Sequence, residues 1–183
     1  MRIFLAGVSC VGKTTIGEKL ASLLGYAFFD LDEEIESYFG TPLERLQDKY
    51  LTMYSFRKEA AKALTNLLTR EDSHHAVIAL PPSGLRDYYW RIVKNAQGRI
   101  IVLSDNAANI LKRIVFYDKD SRRIERHLTD KERQYYLKDI KEDITYFRRT
   151  YKRADIILDI AGLDPNQAAR KVKETVTAGG DVR

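Results

Sequence analysis

The chain has a single cysteine, Cys10, among 183 residues. An internal disulfide is therefore excluded, and the composition suits a reducing cytoplasm. Proline is also scarce, with four residues, and two of them stand side by side as Pro81-Pro82. No apolar run reaches the length of a membrane-spanning helix, so no membrane partner is expected. Neither a tract of pure Lys/Arg nor an aromatic stacking motif is present, which argues against a nucleic-acid partner. The guanine-reading pattern Asn-Lys-x-Asp is missing, which excludes a signalling GTPase. Repeats, linkers and low-complexity segments are absent too.

What is present reads as one globular domain, residues 1–183. Hydrophobic residues make up 44% and charged residues 31%, enough for a sizeable core. The net charge of +5 is mostly local. Between Phe116 and Arg153 stand twelve Lys/Arg against eight Asp/Glu. A segment that closes over polyphosphate fits this excess better than a nucleic-acid face.

Near the amino terminus the chain reads Gly7-Val8-Ser9-Cys10-Val11-Gly12-Lys13-Thr14. This is G-x-x-x-x-G-K-T, a phosphate-binding loop. The apolar run Arg2–Ala6 before it suits a buried strand. After it, Ile16, Leu20 and Leu23/Leu24 recur at helical spacing. In such a loop the backbone N–H groups of Gly7, Cys10, Val11, Gly12 and Thr15 face phosphates at a helix amino terminus. Lys13 is expected to reach the β- and γ-phosphates of a nucleoside triphosphate, and the Thr14 hydroxyl to ligate Mg²⁺. Cys10 stands where a thiol can be acidified; it also reads as a small residue tolerated in the loop.

Further apolar runs predict strands at Ile3–Ala6, Tyr26–Phe29, Ala76–Leu80, Arg99–Leu103 and Asp155–Leu158. Helices are predicted at Lys13–Leu24, Asp32–Tyr38, Pro42–Lys49, Tyr54–Thr69, Leu85–Asn95, Asn106–Val115, Lys131–Tyr151 and Pro165–Thr177, with a frayed tail over Ala178–Arg183. Strands alternating with helices predict an α/β fold of three layers, α/β/α, around a five-stranded parallel sheet. Ligands of such sheets bind beyond the carboxyl ends of the strands. Asp30 and Asp32, Pro81–Gly84 and Asp159–Gly162 should then share a rim with the phosphate loop.

After the second strand comes Phe29-Asp30-Leu31-Asp32. Two carboxylates at that rim can divide two tasks. Asp30 can hold the Mg²⁺ shell, and Asp32 can accept a proton from an attacking hydroxyl. Either one also reads as a helix cap before Glu33-Glu34-Ile35. Arg57, in Phe56-Arg57-Lys58-Glu59, can bind a carboxylate or phosphate as a planar fork, or pair with a neighbouring acid.

In this order the phosphate loop, Phe29–Asp32 and Phe56-Arg57 resemble the shikimate kinase family, small-molecule kinases with a nucleoside-monophosphate-kinase-like P-loop fold. The resemblance implies MgATP as phosphoryl donor, Asp32 as the base that binds acceptor hydroxyls, Asp30 with Thr14 at the metal, and Arg57 at the acceptor. It implies that Arg113 and Pro165 flank the adenine. It also implies a lid over about residues 116–130, in which Arg122-Arg123 is similar to a catalytic Arg-Pro pair.

The acceptor half departs from the family pattern. Pro81-Pro82 stand where the family has glycines, and the acid expected three residues after the arginine falls on Ala60. The late substrate arginine becomes Phe147, which leaves Arg148 as the nearest candidate. The expected function is transfer of the γ-phosphoryl group of ATP to a hydroxyl or phosphate of a small molecule, by a monomer or weak homodimer; Pro81-Pro82 argue against shikimate as that molecule. A nucleoside-monophosphate-type kinase and a non-catalytic ATP sensor are the alternatives.

Overall fold

A computed structural model describes residues 1–178. The predicted frayed tail, from 179 on, lies outside the described residues, and Ala178 ends the last helix. Five strands form the main sheet: β1 (Arg2–Ala6), β2 (Ala27–Asp30), β3 (Ala76–Ala79), β4 (Gly98–Ser104) and, after a short hairpin of β5 (Phe116–Tyr117) and β6 (Arg123–Ile124), β7 (Ile156–Asp159). Their spatial order is β2-β3-β1-β4-β7, and every pairing is parallel. β1 lies at the centre, and Ile3, Phe4, Leu5 and Ala6 are completely buried. A parallel strand covered by helices on both faces is apolar along its whole length, which is why this run shows no alternation.

Eight helices flank the sheet among the described residues: α1 (Lys13–Leu24), α2 (Leu31–Phe39), α3 (Leu43–Gln47), α4 (Met53–Thr69), α5 (Asp87–Val93), α6 (Ala107–Lys112), α7 (Asp130–Tyr151) and α8 (Pro165–Ala178). None is long and apolar enough to cross a membrane. Glycines in the left-handed region stop α1 at Gly25 and α2 at Gly40, where a side chain would strain the backbone. Thr52 starts α4 by accepting the Ser55 N–H, and Thr129 with Glu132 forms a capping box on α7. The polar helix α7 buries a narrow stripe, Phe147 and Tyr151, with Ile140 and Ile144 packed beside it.

The predicted elements are all present, with shifted ends. α6 stops at Lys112, short of Val115, and α5 starts at Asp87. Two features lacked a sequence signal. One is a 3-10 turn over Glu71–His75. Its buried Ser73 supplies both its carbonyl and its hydroxyl to the Arg2 guanidinium. The other is a hairpin inside the predicted lid: β5 (Phe116–Tyr117) pairs antiparallel with β6 (Arg123–Ile124). The Asp118 carboxylate accepts the Asp120 and Arg122 N–H groups across its turn.

Candidate active site

The phosphate loop runs from the end of β1 into α1. Gly7 and Gly12 have φ of 146° and 109°, angles open to glycine and costly for other residues. At Gly7 a Cβ would also lie 2.7 Å from the Leu103 carbonyl oxygen of the neighbouring strand. Cys10, half-buried, takes a left-handed φ of 57°. Gly12 caps α1 without a side chain, and the first turn of that helix carries no acid. The N–H groups of the turn, with their partial positive charge, are left for an anion.

Lys13 lies beneath the loop, and its Nζ donates to the carbonyls of Gly7 and Val8 at 3.0 and 2.9 Å. Burial holds the ammonium below the usual lysine range, against the attraction of Asp32 and Asp30. The Thr14 hydroxyl donates to Asp30 Oδ2 at 2.7 Å, while Asp30 Oδ1 accepts the Asp32 N–H at 3.0 Å. Asp30 therefore caps α2, as the cap reading expects, and meets Thr14 at the same time. Thr14 and Asp30 form a pair of hard oxygens beside the loop. No cluster of three metal-binding side chains occurs among the described residues. That sparse donor set suits Mg²⁺, which keeps waters and phosphate oxygens in its shell.

Asp32 follows on α2 and is half-buried. Burial, and then the Asp30 charge, push its carboxyl up to about 6, with Lys13 pulling the other way. It faces a cleft of about 380 Å³ that also takes in Ser9 of the phosphate loop, Arg57, the Pro81–Ser83 turn, Asp143 and Phe147. Arg57, from α4, donates through Nε to Asp87 Oδ2 at 3.0 Å. Asp87 opens α5 in a left-handed conformation, φ 49°, which aspartate tolerates better than most residues. The nearby Glu59 pairs instead with Lys62. The Tyr151 hydroxyl donates to the Pro82 carbonyl at 3.1 Å, tying α7 to the double-proline turn.

The segments after β4 and β7 carry Arg113 and Pro165, the residues expected at the adenine. These segments are joined by the Ile160 N–H donating to the Ser104 carbonyl at 2.9 Å. Arg113 ends α6 and donates through Nη2 to Asp105 at 2.5 Å. Burial resists ionisation of Asp105, but hydrogen bonds from Asn109, Arg113 and the Asn106 N–H outweigh it and hold the carboxyl below the usual range. The buried Nε of Arg113 has no partner among the described residues. Pro165 is exposed at the start of α8, after the Asp164 turn.

The hairpin within the expected lid packs toward α2 and α3. Its tip is tied to α2 and α3 by Asp120–Arg45 at 2.5 Å, Lys119–Asp48 at 3.3 Å, and a Ser121–Glu36 hydrogen bond. Arg122, Arg123 and Arg126 are all exposed, and Arg126 is also paired with Glu132 and lies over the Phe116 ring.

The structure thus gathers the phosphate loop, Asp30 and Asp32 in one place, with Arg57 lining the same cleft as Asp32. It does not bring Arg148 there: that residue is exposed on α7, and the α7 residues lining the cleft are Asp143 and Phe147. Sequence reasoning missed Asp87 and Asp143. Asp87 left no signal, being 30 residues from its partner. Asp143 stands four residues before Phe147, on the same face of a helix.

A parallel sheet with a phosphate loop after its central strand defines a P-loop kinase-type fold. A family model for shikimate kinase matches residues 9–177. The chain is 34% identical over 119 residues to a shikimate kinase of Chlorobium luteolum, covering 62% of this chain and 54% of that protein. With a shikimate kinase of Novosphingobium aromaticivorans it shares 29% identity over 166 residues, 90% of this chain and 81% of that one. Among solved structures, Aquifex aeolicus shikimate kinase superposes with a TM-score of 0.72 at 24% identity, over 99% of both chains. Acinetobacter baumannii shikimate kinase in complex with shikimate gives 0.75 at 23%, over 99% of this chain and 95% of that one. The chain belongs to the shikimate kinase family. It spans about half the length of the Chlorobium relatives it matches, 54% and 57% for two of them.

Proposed function

We propose that this protein is a cytoplasmic kinase that transfers the γ-phosphoryl group of ATP to a hydroxyl of a small molecule. One observation carries the reading: a carboxyl poised near neutrality, Asp32 at about 6, faces a cleft that opens onto the phosphate loop at Ser9. The loop N–H groups and Lys13 would hold the triphosphate, with Arg113 and Pro165 at the base. Mg²⁺, held by Thr14 with Asp30, would neutralise charge on the phosphate oxygens. Lys13 leaves the loop carbonyls for the phosphate oxygens, where its charge counts most in a water-poor site. Asp32 orients the acceptor hydroxyl and takes its proton. Arg122, carried by the lid, covers the site and excludes water.

The base works when ionised. Activity should therefore fall as pH drops below about 6, the Asp32 value, and this acid limb should vanish from the residual activity of Asp32→Asn. An ADP-release assay across pH, with native protein and that variant, tests it. An unchanged pH profile in the variant would remove Asp32 from the proton transfer.

A further inference from the structure

The side chains around the acceptor cleft carry a charge balance that selects among acceptors. Three ionisable side chains line it apart from tyrosine: Asp32, Arg57 and Asp143. The single cation is already engaged. Arg57 donates to Asp87 at 3.0 Å, and both side chains are largely withdrawn from water, so the pair presents little net charge to a ligand. Asp143 is in the opposite condition. Among the described residues it has no hydrogen-bond or ion-pair partner, and the charges near it are those of Asp139 and Glu142. The turn that could have supplied anion-binding N–H groups has Pro81 and Pro82, which have none. The rest of the lining includes the amide of Gln47, the hydroxyls of Ser9 and Ser83, and the apolar faces of Phe56 and Phe147.

We propose that the acceptor is a polyhydroxy compound bearing no acidic group, neutral or amino-substituted, and that Asp143 is a recognition residue that selects it. A carboxylate or phosphate entering this cleft would meet two carboxylates and one guanidinium whose charge is already matched. Like charges brought together in a partly desolvated site repel, and an arginine already balanced by Asp87 repays less of a second anion's desolvation. Hydroxyl and ammonium groups, by contrast, are donors, and the cleft offers unfilled acceptors at Asp143, Gln47 and the two serines. A donor-rich acceptor would also place one hydroxyl against Asp32 while another meets Asp143. Phe56 and Phe147 suit the apolar face of a ring.

This inference rests on the kinase reading, and titration calorimetry separates the two because it needs no turnover. The protein is saturated with a non-hydrolysable ATP analogue and Mg²⁺. It is then titrated with glucose, glucosamine, gluconate, glucose 6-phosphate and shikimate. Glucose or glucosamine should bind at least tenfold more tightly than the three acids. In Asp143→Asn, an isosteric change at an exposed position of α7, the preference for glucosamine over gluconate should shrink at least fivefold, with binding of the ATP analogue unchanged. Tighter binding of any acid, failure of both glucose and glucosamine to bind, or an unaltered preference in the variant would overturn the inference. The kinase reading is lost on a different result, a Lys13→Ala variant that turns over ATP as well as the native protein.

Discussion

Asp32 is placed at a cost to the fold, and that cost can be measured. Its carboxyl is raised from 3.8 to about 6 by burial and by the Asp30 charge, net of the attraction of Lys13. At about 1.4 kcal/mol for each tenfold change, the ionised form destabilises the folded state by about 3 kcal/mol relative to the protonated one. The sign follows from proton counts. Between 3.8 and about 6 the folded protein holds a proton that the unfolded chain has released, so stability falls as pH rises through this window and levels off above it. Asp32→Asn mimics the neutral carboxyl at every pH. The variant should therefore be more stable than the native protein by about 3 kcal/mol at neutral pH, roughly 6–12 °C in Tm for a chain of this size. The difference should close as pH falls from about 6 to about 4. Thermal and urea unfolding of both proteins at several pH values measures it. Turnover should fall by about 10²–10⁴ in the same variant, the usual contribution of a positioned base. A variant less stable than the native protein at neutral pH, or a gap that persists in acid, would refute the electrostatic reasoning.

Other outcomes follow from the same geometry. Lys13→Ala should lower turnover by about 10²–10³, the effect of removing one preorganised charge, and steady-state ADP release checks it. Gly7→Ala drives a Cβ to 2.7 Å from the Leu103 carbonyl at a φ of 146°; it should cost about 2–4 kcal/mol in chemical unfolding and weaken ATP-analogue binding. MgATP or a non-hydrolysable analogue should protect residues 116–128 from amide exchange. Replacing Arg122 and Arg123 together should lower kcat more than it weakens nucleotide binding, because contacts made by a closing lid form mainly late in the reaction. Full activity in that double variant, with unchanged exchange, would make the hairpin a solvated surface.

The phosphate loop, the alternation of strands and helices, and the Asp30/Asp32 pair were legible in the sequence alone. Each is a contiguous stretch whose chemistry is local: glycines where the backbone must approach an anion, an apolar run for a strand buried on both faces, acids at a strand end. From Lys13 to Asp32 the chain needs only one helix and one strand to fold back on itself, so spacing was a sufficient guide. Tertiary packing decided the cleft beside Asp32. The Arg57–Asp87 pair joins α4 to the start of α5 across 30 residues, and no periodicity marks Asp87 as a partner. On α7 the outcome turned on helical phase. Phe147 belongs to the buried stripe with Tyr151 and Asp143 lies one turn before it, so both reach the cleft. Arg148, about 100° further round the helix, points away from that stripe. The 116–124 hairpin followed the same rule. Its basic charge was visible in the chain, but its strand pairing and its ties to Glu36, Arg45 and Asp48 arise only when α2 and α3 are brought beneath it.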